Sequence, residues 1–175
     1  GRGYMNLKHG ILLLSMIASC SAFASSWKVS YQNDEMRGTS QKLAYATSDN
    51  LVNFEFPYNG GSRLGIMIAS ANTKLGEGEK PDGLPIIRAM LFIDKGQFQC
   101  NPYNDCHISV KFDNGEIQSF PMEEASAGRA DAILVSDSDE FINNLKKHKT
   151  LIIEAEFYRA GNKQFKFNLD DFPDR

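Results

Sequence analysis

Hydrophobic and polar residues alternate with a period of two in five segments of the chain. The apolar positions of these segments are Trp27, Val29 and Tyr31; Val52, Phe54 and Phe56; Ile108, Val110 and Phe112; Ile153, Ala155 and Phe157; and Phe165, Phe167 and Leu169. This period is typical of β-strands that have one buried and one solvent-facing side. Such strands are the usual components of antiparallel sheets.

Two further segments, Leu64–Ala71 and Ile86–Ile93, are almost continuously apolar, which predicts strands in the middle of a sheet. The dipeptide Asn114-Gly115 predicts a hairpin with a type I′ turn, because both central residues of that turn need a positive φ. Residues 59–61 and 160–162 are weaker hairpin candidates of the same kind. These turns place sequence neighbours side by side in an antiparallel sheet.

One helix is predicted from about Ser138 to His148. Residues 136–139 offer N-cap groups and acidic residues for its first turn, and Lys146, Lys147 and Lys149 stand at its end. Phe141, Ile142 and Leu145 form one apolar stripe along it. We expect this stripe to pack on the edge of a sheet or across the end of a sandwich.

Two polar segments rich in glycine or proline, residues 72–85 and 123–131, are predicted to be exposed loops. The first is longer than about 12 residues, a length at which an irregular loop is usually functional or disordered. The strands, turns and helix together predict an all-β fold, an antiparallel two-sheet sandwich of about eight to ten strands with one late helix. Residues 25–175 are expected to form this single domain.

The first residues have the pattern of an export signal. Lys8 and His9 precede an apolar run over residues 10–17, and Ala22-Phe23-Ala24 is a small-x-small cleavage site. The run is far shorter than the roughly 20 residues that span a bilayer. We therefore interpret residues 5–24 as a cleaved signal peptide and residues 1–4 as an upstream remnant outside the fold.

A second interpretation of the same region involves Cys20. Residues 17–20 (IASC) resemble a bacterial lipobox, in which Cys20 becomes lipidated and forms the new N-terminus. The distance from Cys20 to Trp27 makes a very short tether. Soluble periplasmic or secreted export and a lipoprotein anchored through Cys20 therefore stand as alternatives, with no other insertion into a membrane expected.

Export changes both the net charge of the mature chain and the expected oxidation state of its cysteines. Removal of residues 1–24 leaves 17 basic and 22 acidic residues, a balance that argues against nucleic acid as a partner. Cys100 and Cys106 then remain as a pair, and an oxidising compartment predicts a disulfide between them. Loop-closure entropy gives such a ring of about seven residues roughly 2.4 kcal/mol of stabilisation.

The ring that this disulfide closes is a candidate recognition loop. Pro102 restricts it, and Tyr103 at its tip offers an aromatic contact at low entropic cost. The other polar candidates in the ring are Asn101, Asn104 and Asp105. In the loop 72–85 the candidates are Lys74, Glu77, Glu79, Lys80 and Asp82. The alternative is that the disulfide only stabilises a hairpin.

Catalytic patterns are scarce in the exported part of the chain. It has only two histidines, His107 and His148, and no nucleophile elbow, phosphate-binding glycine motif or Cys/His zinc cluster. The acidic C-terminal residues lack the pattern of a calcium loop and are interpreted as a frayed tail. We expect no cofactor and no metal.

One carboxylate pair supports an enzymatic alternative. Glu154 and Glu156 share a strand face about 7 Å apart, which overlaps the separation in inverting glycosidases. The same alternation is typical of any half-buried strand, with Lys166 as a cross-strand partner of the two glutamates. A cell-wall glycan hydrolase that uses this pair is the enzymatic hypothesis.

A set of landmarks along the chain resembles a family of small, exported, uncharacterised bacterial and prophage-encoded proteins. The landmarks are Trp27, Asp34-Glu35-Met36-x-Gly38, Phe56-Pro57-Tyr58-x-Gly60, Gly96-x-Phe98-x-Cys100 with Cys106, Val110-x-Phe112-Asp113-x-Gly115, and Ile153-Glu154-x-x-Phe157-Tyr158-x-x-Gly161. The leading tryptophan and the β-rich character are also similar to the periplasmic accessory proteins of type VI secretion. Neither resemblance carries a catalytic residue to this chain.

These observations predict a non-enzymatic exported binding protein of the bacterial envelope. Its partner is expected to be another protein or an envelope component, bound through the disulfide loop and the loop 72–85. An inhibitor of an envelope hydrolase such as lysozyme is one specific form of this hypothesis. A glycan hydrolase and a lipid-anchored accessory subunit of a secretion or envelope machine are the alternatives.

Overall fold

A computed structural model describes residues 27–101, 103, 105–126 and 128–174. The expected signal peptide, Cys20, Pro102 and Asn104 lie outside these residues. The strands and the helix follow one another as β1 (Lys28–Asp34), β2 (Thr39–Thr47), β3 (Val52–Phe54), β4 (Gly60–Ser62), β5 (Leu64–Ser70), β6 (Ile86–Ile93), β7 (His107–Phe112), β8 (Ile117–Glu124), β9 (Ala132–Val135), α1 (Ser138–Lys147), β10 (Thr150–Phe157) and β11 (Gly161–Asn168). The predicted β-dominated class and the late helix are confirmed.

Nine of the strands form one continuous antiparallel sheet. Their spatial order is β1-β2-β5-β6-β9-β8-β7-β10-β11, and β3 and β4 form a small separate hairpin. The continuously apolar segments became β5 and β6, which lie in the interior of this order as expected. The edges of the sheet are β1 and β11.

Strand β8 changes partner along its length. Residues 117–121 pair with β7, whereas residues 122–124 pair with β9. Strands that switch partners in this way form the corners of folded sheets. The hydrogen-bonded order remains continuous through β8, so the division into two separate packed sheets stays a prediction.

A single hydrophobic cluster contains buried residues from both halves of the sheet. Its aromatic centre is Phe157, whose ring lies 5.0 Å from that of Phe98, 5.1 Å from Phe54 and 5.9 Å from Phe165. Edge-to-face and offset ring pairs at such distances stabilise beyond their buried area. The hairpin β3–β4 therefore packs on the same core as the main sheet.

The helix is held by its cap and by its apolar stripe. The Asp137 carboxylate accepts the Glu140 N–H, and the Ser138 hydroxyl accepts the Ala89 N–H of β6. Phe141, Ile142 and Leu145 are buried as predicted. The helix therefore packs against the sheet beside β6, and it ends one residue before the predicted His148.

The predicted alternation is wrong at two places. In β1, the edge strand of the sheet, Val29 and Tyr31 are 40% and 45% exposed, since a strand period does not show whether another element covers its apolar face. Phe56 is 88% exposed. It lies in a turn after β3, where the Tyr58 N–H donates to the Glu55 carbonyl and the Phe56-Pro57 peptide is cis.

The β7–β8 hairpin forms, but not with the predicted type I′ turn. The Gly115 N–H donates to the Phe112 carbonyl, and the positive φ of 51° belongs to Asp113 rather than to Asn114 or Gly115. Asp113 has a specific reason to adopt this conformation. Its carboxylate accepts the backbone N–H groups of Lys149 and Thr150 at 2.9 and 3.0 Å.

Asp113 thus joins the β7–β8 turn to the junction between α1 and β10. Its second carboxylate oxygen lies 2.8 Å from His148 Nδ1. The hydrogen bond with His148, followed by those from the backbone of Lys149 and Thr150, lowers the pKa of Asp113 from 3.8 to about 2.

This lowered pKa predicts a pH dependence of stability. The unfolded carboxyl binds a proton at pH values where the folded one does not, so the Asp113 contribution is complete above about pH 4 and is lost as the pH falls towards 2. We expect the difference in unfolding free energy between the wild type and Asp113→Asn to shrink over that window. Urea denaturation at several pH values measures it.

The Asp113→Asn substitution keeps the backbone conformation of the turn, since asparagine adopts positive φ readily. The substitution therefore isolates the charge. A difference between wild type and Asp113→Asn that is the same at pH 2 and pH 6 would contradict this account.

Candidate functional site

The disulfide loop is closed as predicted. Cys100 and Cys106 are bonded, with an S–S distance of 2.04 Å. The loop is fixed on two strands: the Gln99 N–H donates to the Glu156 carbonyl of β10, and the Met122 N–H of β8 donates to the Cys106 carbonyl. At its tip Tyr103 is 95% exposed, and its N–H donates to the Asn101 side chain at 3.0 Å.

A small polar depression lies beside this loop. It has a volume of about 60 Å³ and is lined by Gln99, Asp105, His107, Ser109, Glu154, Glu156 and Asn162. Asp105 Oδ2 lies 3.6 Å from His107 Nδ1. The structure therefore brings together two features that the sequence presents separately, the disulfide loop and the carboxylate pair.

This convergence follows from strand register. His107 opens β7 directly after Cys106, and β7 pairs with β10 so that Ser109 faces Glu154. The disulfide loop is thereby placed over the end of β10. The pairing of β7 with β10 and the backbone bond from Gln99 to Glu156 place these residues together. A strand period does not predict which strands pair.

The predicted partner of the two glutamates is wrong. Lys166 of β11 faces Ile152, whereas Gln164 faces Glu154 and donates to its Oε2 at 2.7 Å. Lys166 would stand opposite Glu154 only if β11 were shifted by two residues along β10. An amide therefore contacts Glu154 where a cation was expected.

The depression is small for a substrate pocket. Ligand sites for small molecules usually enclose about 300–1,000 Å³, against about 60 Å³ here. A sugar ring held between Glu154 and Glu156 needs more room than this. The geometry therefore weighs against the glycosidase hypothesis.

The loop 72–85 is attached to a different strand. Thr73 and Ser40 of β2 exchange two backbone hydrogen bonds, and Lys42 Nζ donates to the Asp82 carbonyl at 2.9 Å. Glu79 accepts the Gly76 N–H within the loop. None of these described contacts joins the loop to the disulfide loop.

The individual candidates in the loop 72–85 have different surroundings. Lys74, Glu77 and Lys80 are exposed, whereas the Glu79 carboxylate and the Asp82 carbonyl take part in contacts that shape the loop. A single 3₁₀ turn, Pro81–Gly83, leads into β6. The predicted loop 123–131 is shorter than expected, because β8 continues to Glu124.

Two open grooves, one on the outer face of the sheet and one among the loops, are not predicted from the sequence. One, of about 540 Å³, is lined by Tyr45, Thr47, Arg63, Met67, Phe92, Ile93 and Asp94. The other, of about 570 Å³, is lined by Tyr58, residues 94–97 and residues 128–131. The continuous apolarity of β5 and β6 indicates such a surface, because it also places Met67 and Phe92 on the outer face.

Aromatic and cationic side chains meet at these grooves. The Arg129 guanidinium lies 5.6 Å from the centre of the Phe92 ring. Tyr45 lies across Gly65, where a Cβ atom would collide with its ring. Burial, with the nearby Asp94 carboxylate, raises the pKa of the Tyr45 hydroxyl. Side chains of these types are common at protein interfaces.

The acidic C-terminal residues are held by the fold, which corrects the expectation of a frayed tail. Asp171 accepts the Trp27 N–H at 3.1 Å, and Asp174 lies within 4.0 Å of both Lys42 and Lys146. Phe172 is buried against Trp27. Among the described residues there is no group of three or more histidine, cysteine or acidic residues that could hold a metal ion.

The chain matches no protein-family model, no curated protein and no solved structure. No helix in the part of the chain that the structure describes is long and apolar enough to cross a membrane.

The disulfide generates a prediction about stability. We expect the double substitution Cys100→Ser and Cys106→Ser to lower the free energy of unfolding by about 2.4 kcal/mol, because the unfolded chain regains the entropy of an open loop. Chemical denaturation under oxidising conditions measures this change. The reduced wild type serves as the control and should match the variant.

The effect should also be local. Proteolysis within residues 101–105 is expected to rise in the variant, while the core strands stay protected. Unchanged stability together with unchanged proteolysis of this segment would contradict the role given to the disulfide.

Proposed function

We propose that this protein is a non-enzymatic, exported binding protein of the bacterial envelope. Its partner is another protein or an envelope component. The observation that carries the proposal is Tyr103, which is 95% exposed on a loop closed by a disulfide and bonded to two strands.

An exposed tyrosine on a restrained loop is suited to recognition. Most of the cost of ordering a binding loop is absent when the loop is already fixed before the partner arrives. Tyrosine adds a large amphipathic contact with only two side-chain torsions to restrict. The Tyr103 ring therefore supplies contact area at little entropic cost.

The depression beside the disulfide loop, lined in part by Asp105, suggests the chemistry of the partner. Three carboxylates, those of Asp105, Glu154 and Glu156, line it together with His107. A partner that places a lysine, an arginine or an amide there forms charge-assisted hydrogen bonds. We therefore propose a protein partner that presents a polar or basic group next to an apolar contact for Tyr103.

Export is part of the same proposal. Disulfides persist in oxidising compartments, and the bond between Cys100 and Cys106 agrees with the signal peptide interpreted in residues 5–24. Soluble export and lipidation at Cys20 remain two forms of the proposal. Mass spectrometry of the mature N-terminus distinguishes them. We also propose, from the landmarks that resemble them, membership of the exported prophage-encoded family or a role beside type VI secretion.

We also propose that the sheet forms two packed layers with β8 as their corner. The partner change within β8 supports this, as does the single hydrophobic cluster that draws on both halves of the sheet. The loop that carries Tyr103 then leaves the sheet directly before β7, on the β10 side of that corner.

Inhibition of an envelope hydrolase such as lysozyme is the specific form of the proposal that is simplest to assay. A disulfide-closed loop with an exposed aromatic residue can enter the cleft of such an enzyme, and Tyr103 is 95% exposed. Unchanged lysozyme rates at high concentrations of this protein would remove that form and leave the broader proposal intact.

The binding proposal predicts the effect of truncating Tyr103. We expect Tyr103→Ala to weaken binding to the envelope partner by about 2 kcal/mol or more, roughly a 30-fold rise in Kd, because an exposed aromatic at the centre of an interface is a typical hot spot. Affinity capture from the envelope fraction identifies the partner. Calorimetry with the purified partner then measures Kd.

Phe56→Ala is the matched control, since Phe56 is also an almost fully exposed aromatic residue but lies in the β3–β4 turn. It should leave Kd unchanged. Equal binding by wild type and Tyr103→Ala would contradict the proposal. Hydrolysis of cell-wall glycan by the purified protein that is lost in Glu154→Gln would support the enzymatic alternative instead.

A further inference from the structure

The two edges of the nine-stranded sheet differ in whether their outward-facing N–H and C=O groups have hydrogen-bond partners. At β11, the edge is covered by the segment after β2: the Asp49 N–H donates to the Lys166 carbonyl, and the Asn50 side chain bonds both Lys166 N–H and the Gln164 carbonyl. At β1, the described part of the chain places no strand or loop against the outer edge.

The register identifies which groups of β1 face outward. In β2 the N–H groups of Ser40 and Lys42 donate to Thr73 and Ser70, on the side away from β1. Residues of β1 that stand opposite these positions therefore direct their own N–H and C=O groups away from β2. These residues are Val29, Tyr31 and Asn33.

Strand β1 also lacks the features that usually protect an edge. It is seven residues long, contains no proline, and pairs with β2 without a bulge. Its charged residues, Lys28 and Asp34, lie only at its two ends. Natural sheets normally interrupt such an edge with charge, proline, a bulge or a covering segment.

When two copies of β1 are aligned antiparallel, the opposite charges at their ends face each other. We propose that the open edge of β1 pairs antiparallel with the same edge of a second copy of this chain, with Tyr31 on the two-fold axis. Lys28 of each copy then stands opposite Asp34 of the other, and Val29 stands opposite Asn33.

This register satisfies the outward-facing backbone groups. The pairs Tyr31 with Tyr31 and Val29 with Asn33 join residues that all direct N–H and C=O to the open edge, so each pair can exchange two hydrogen bonds. Lys28 and Asp34 form the alternate type of pair, in which opposing side chains are closest. Asp34 already holds Arg37 at 2.9 Å, so Lys28 joins an existing ion pair.

The interface is isologous, as in most soluble dimers. Registers displaced by two residues in either direction leave both Lys28 and Asp34 without an opposite charge. A strand from an unrelated protein has no reason to carry an acidic residue opposite Lys28 and a basic residue opposite Asp34. The charge pattern thus favours a second copy over other extended partners.

Charge exchange between two variants tests the proposal. Lys28→Asp alone places two carboxylates opposite each other at both ends, and Asp34→Lys alone places two ammonium groups opposite each other. We expect each to weaken self-association about tenfold. An equimolar mixture of the two variants restores opposite charges at both ends and should form a heterodimer.

Analytical ultracentrifugation of the purified full chain and of both variants measures these equilibria. Lys28 and Asp34 are at the ends of a strand whose hydrogen bonds to β2 are made by the backbone, but Asp34→Lys also removes the two bonds that Arg37 donates to the Asp34 carboxylate in the β1–β2 turn. Circular dichroism of each variant alone therefore serves as the control for folding. A wild type that stays monomeric up to about 1 mM would overturn the proposal. So would a mixture that associates no better than its components.

Hydrogen exchange on the unmodified protein is a second test that does not depend on any variant. Amide protection at Val29, Tyr31 and Asn33 should rise with protein concentration. The amides of Ser30 and Gln32, which face β2, should be protected at every concentration. Self-association that leaves Val29, Tyr31 and Asn33 unprotected would show that another surface pairs, and would overturn the proposal.

Discussion

Every backbone N–H and C=O group of a sheet needs a hydrogen-bond partner or water, and this requirement shapes the whole molecule. Inside the sheet each strand satisfies its neighbours, and β8 keeps the pairing continuous by passing from β7 to β9 along its length. Where β8 changes partner, the Met122 N–H donates to the Cys106 carbonyl and the Pro121 carbonyl accepts the Ser136 N–H. At the edges the requirement is met in two different ways, by the Asn50 side chain at β11 and by exposure at β1.

The sequence predicted the interior of this structure better than its edges. The alternation of Ile153, Ala155 and Phe157 predicts burial correctly because this face of β10 lies in the hydrophobic cluster, where Phe54 and Phe98 pack on Phe157. The same alternation at Val29 and Tyr31 was misleading, because a period reports only the pleat of a strand and not what lies against it. Asp113 shows the equivalent limit for turns: its positive φ depends on contacts with Lys149 and Thr150, which are far away in the sequence.

The candidate site was predicted in parts. Cysteine spacing gave the disulfide and hence the position of Tyr103, since a ring of this size can only form a tight loop. That Asp105 and His107 lie beside Glu154 and Glu156 depends on the pairing of β7 with β10, which local patterns do not encode. The groove lined by Met67 and Phe92 was missed for a related reason, because apolar residues on both faces of β5 and β6 were attributed entirely to burial.

Amide hydrogen exchange at low protein concentration tests most directly whether the two edges of the sheet differ. The Lys166 amide, which donates to Asn50 Oδ1, should be protected, and the Tyr31 amide should exchange rapidly. Asn50→Ala should accelerate exchange at Lys166 while the amides of Phe165 and Phe167, which face β10, stay protected. Equal protection at Lys166 and Tyr31 would contradict the account. So would an exchange rate at Lys166 that does not change in Asn50→Ala.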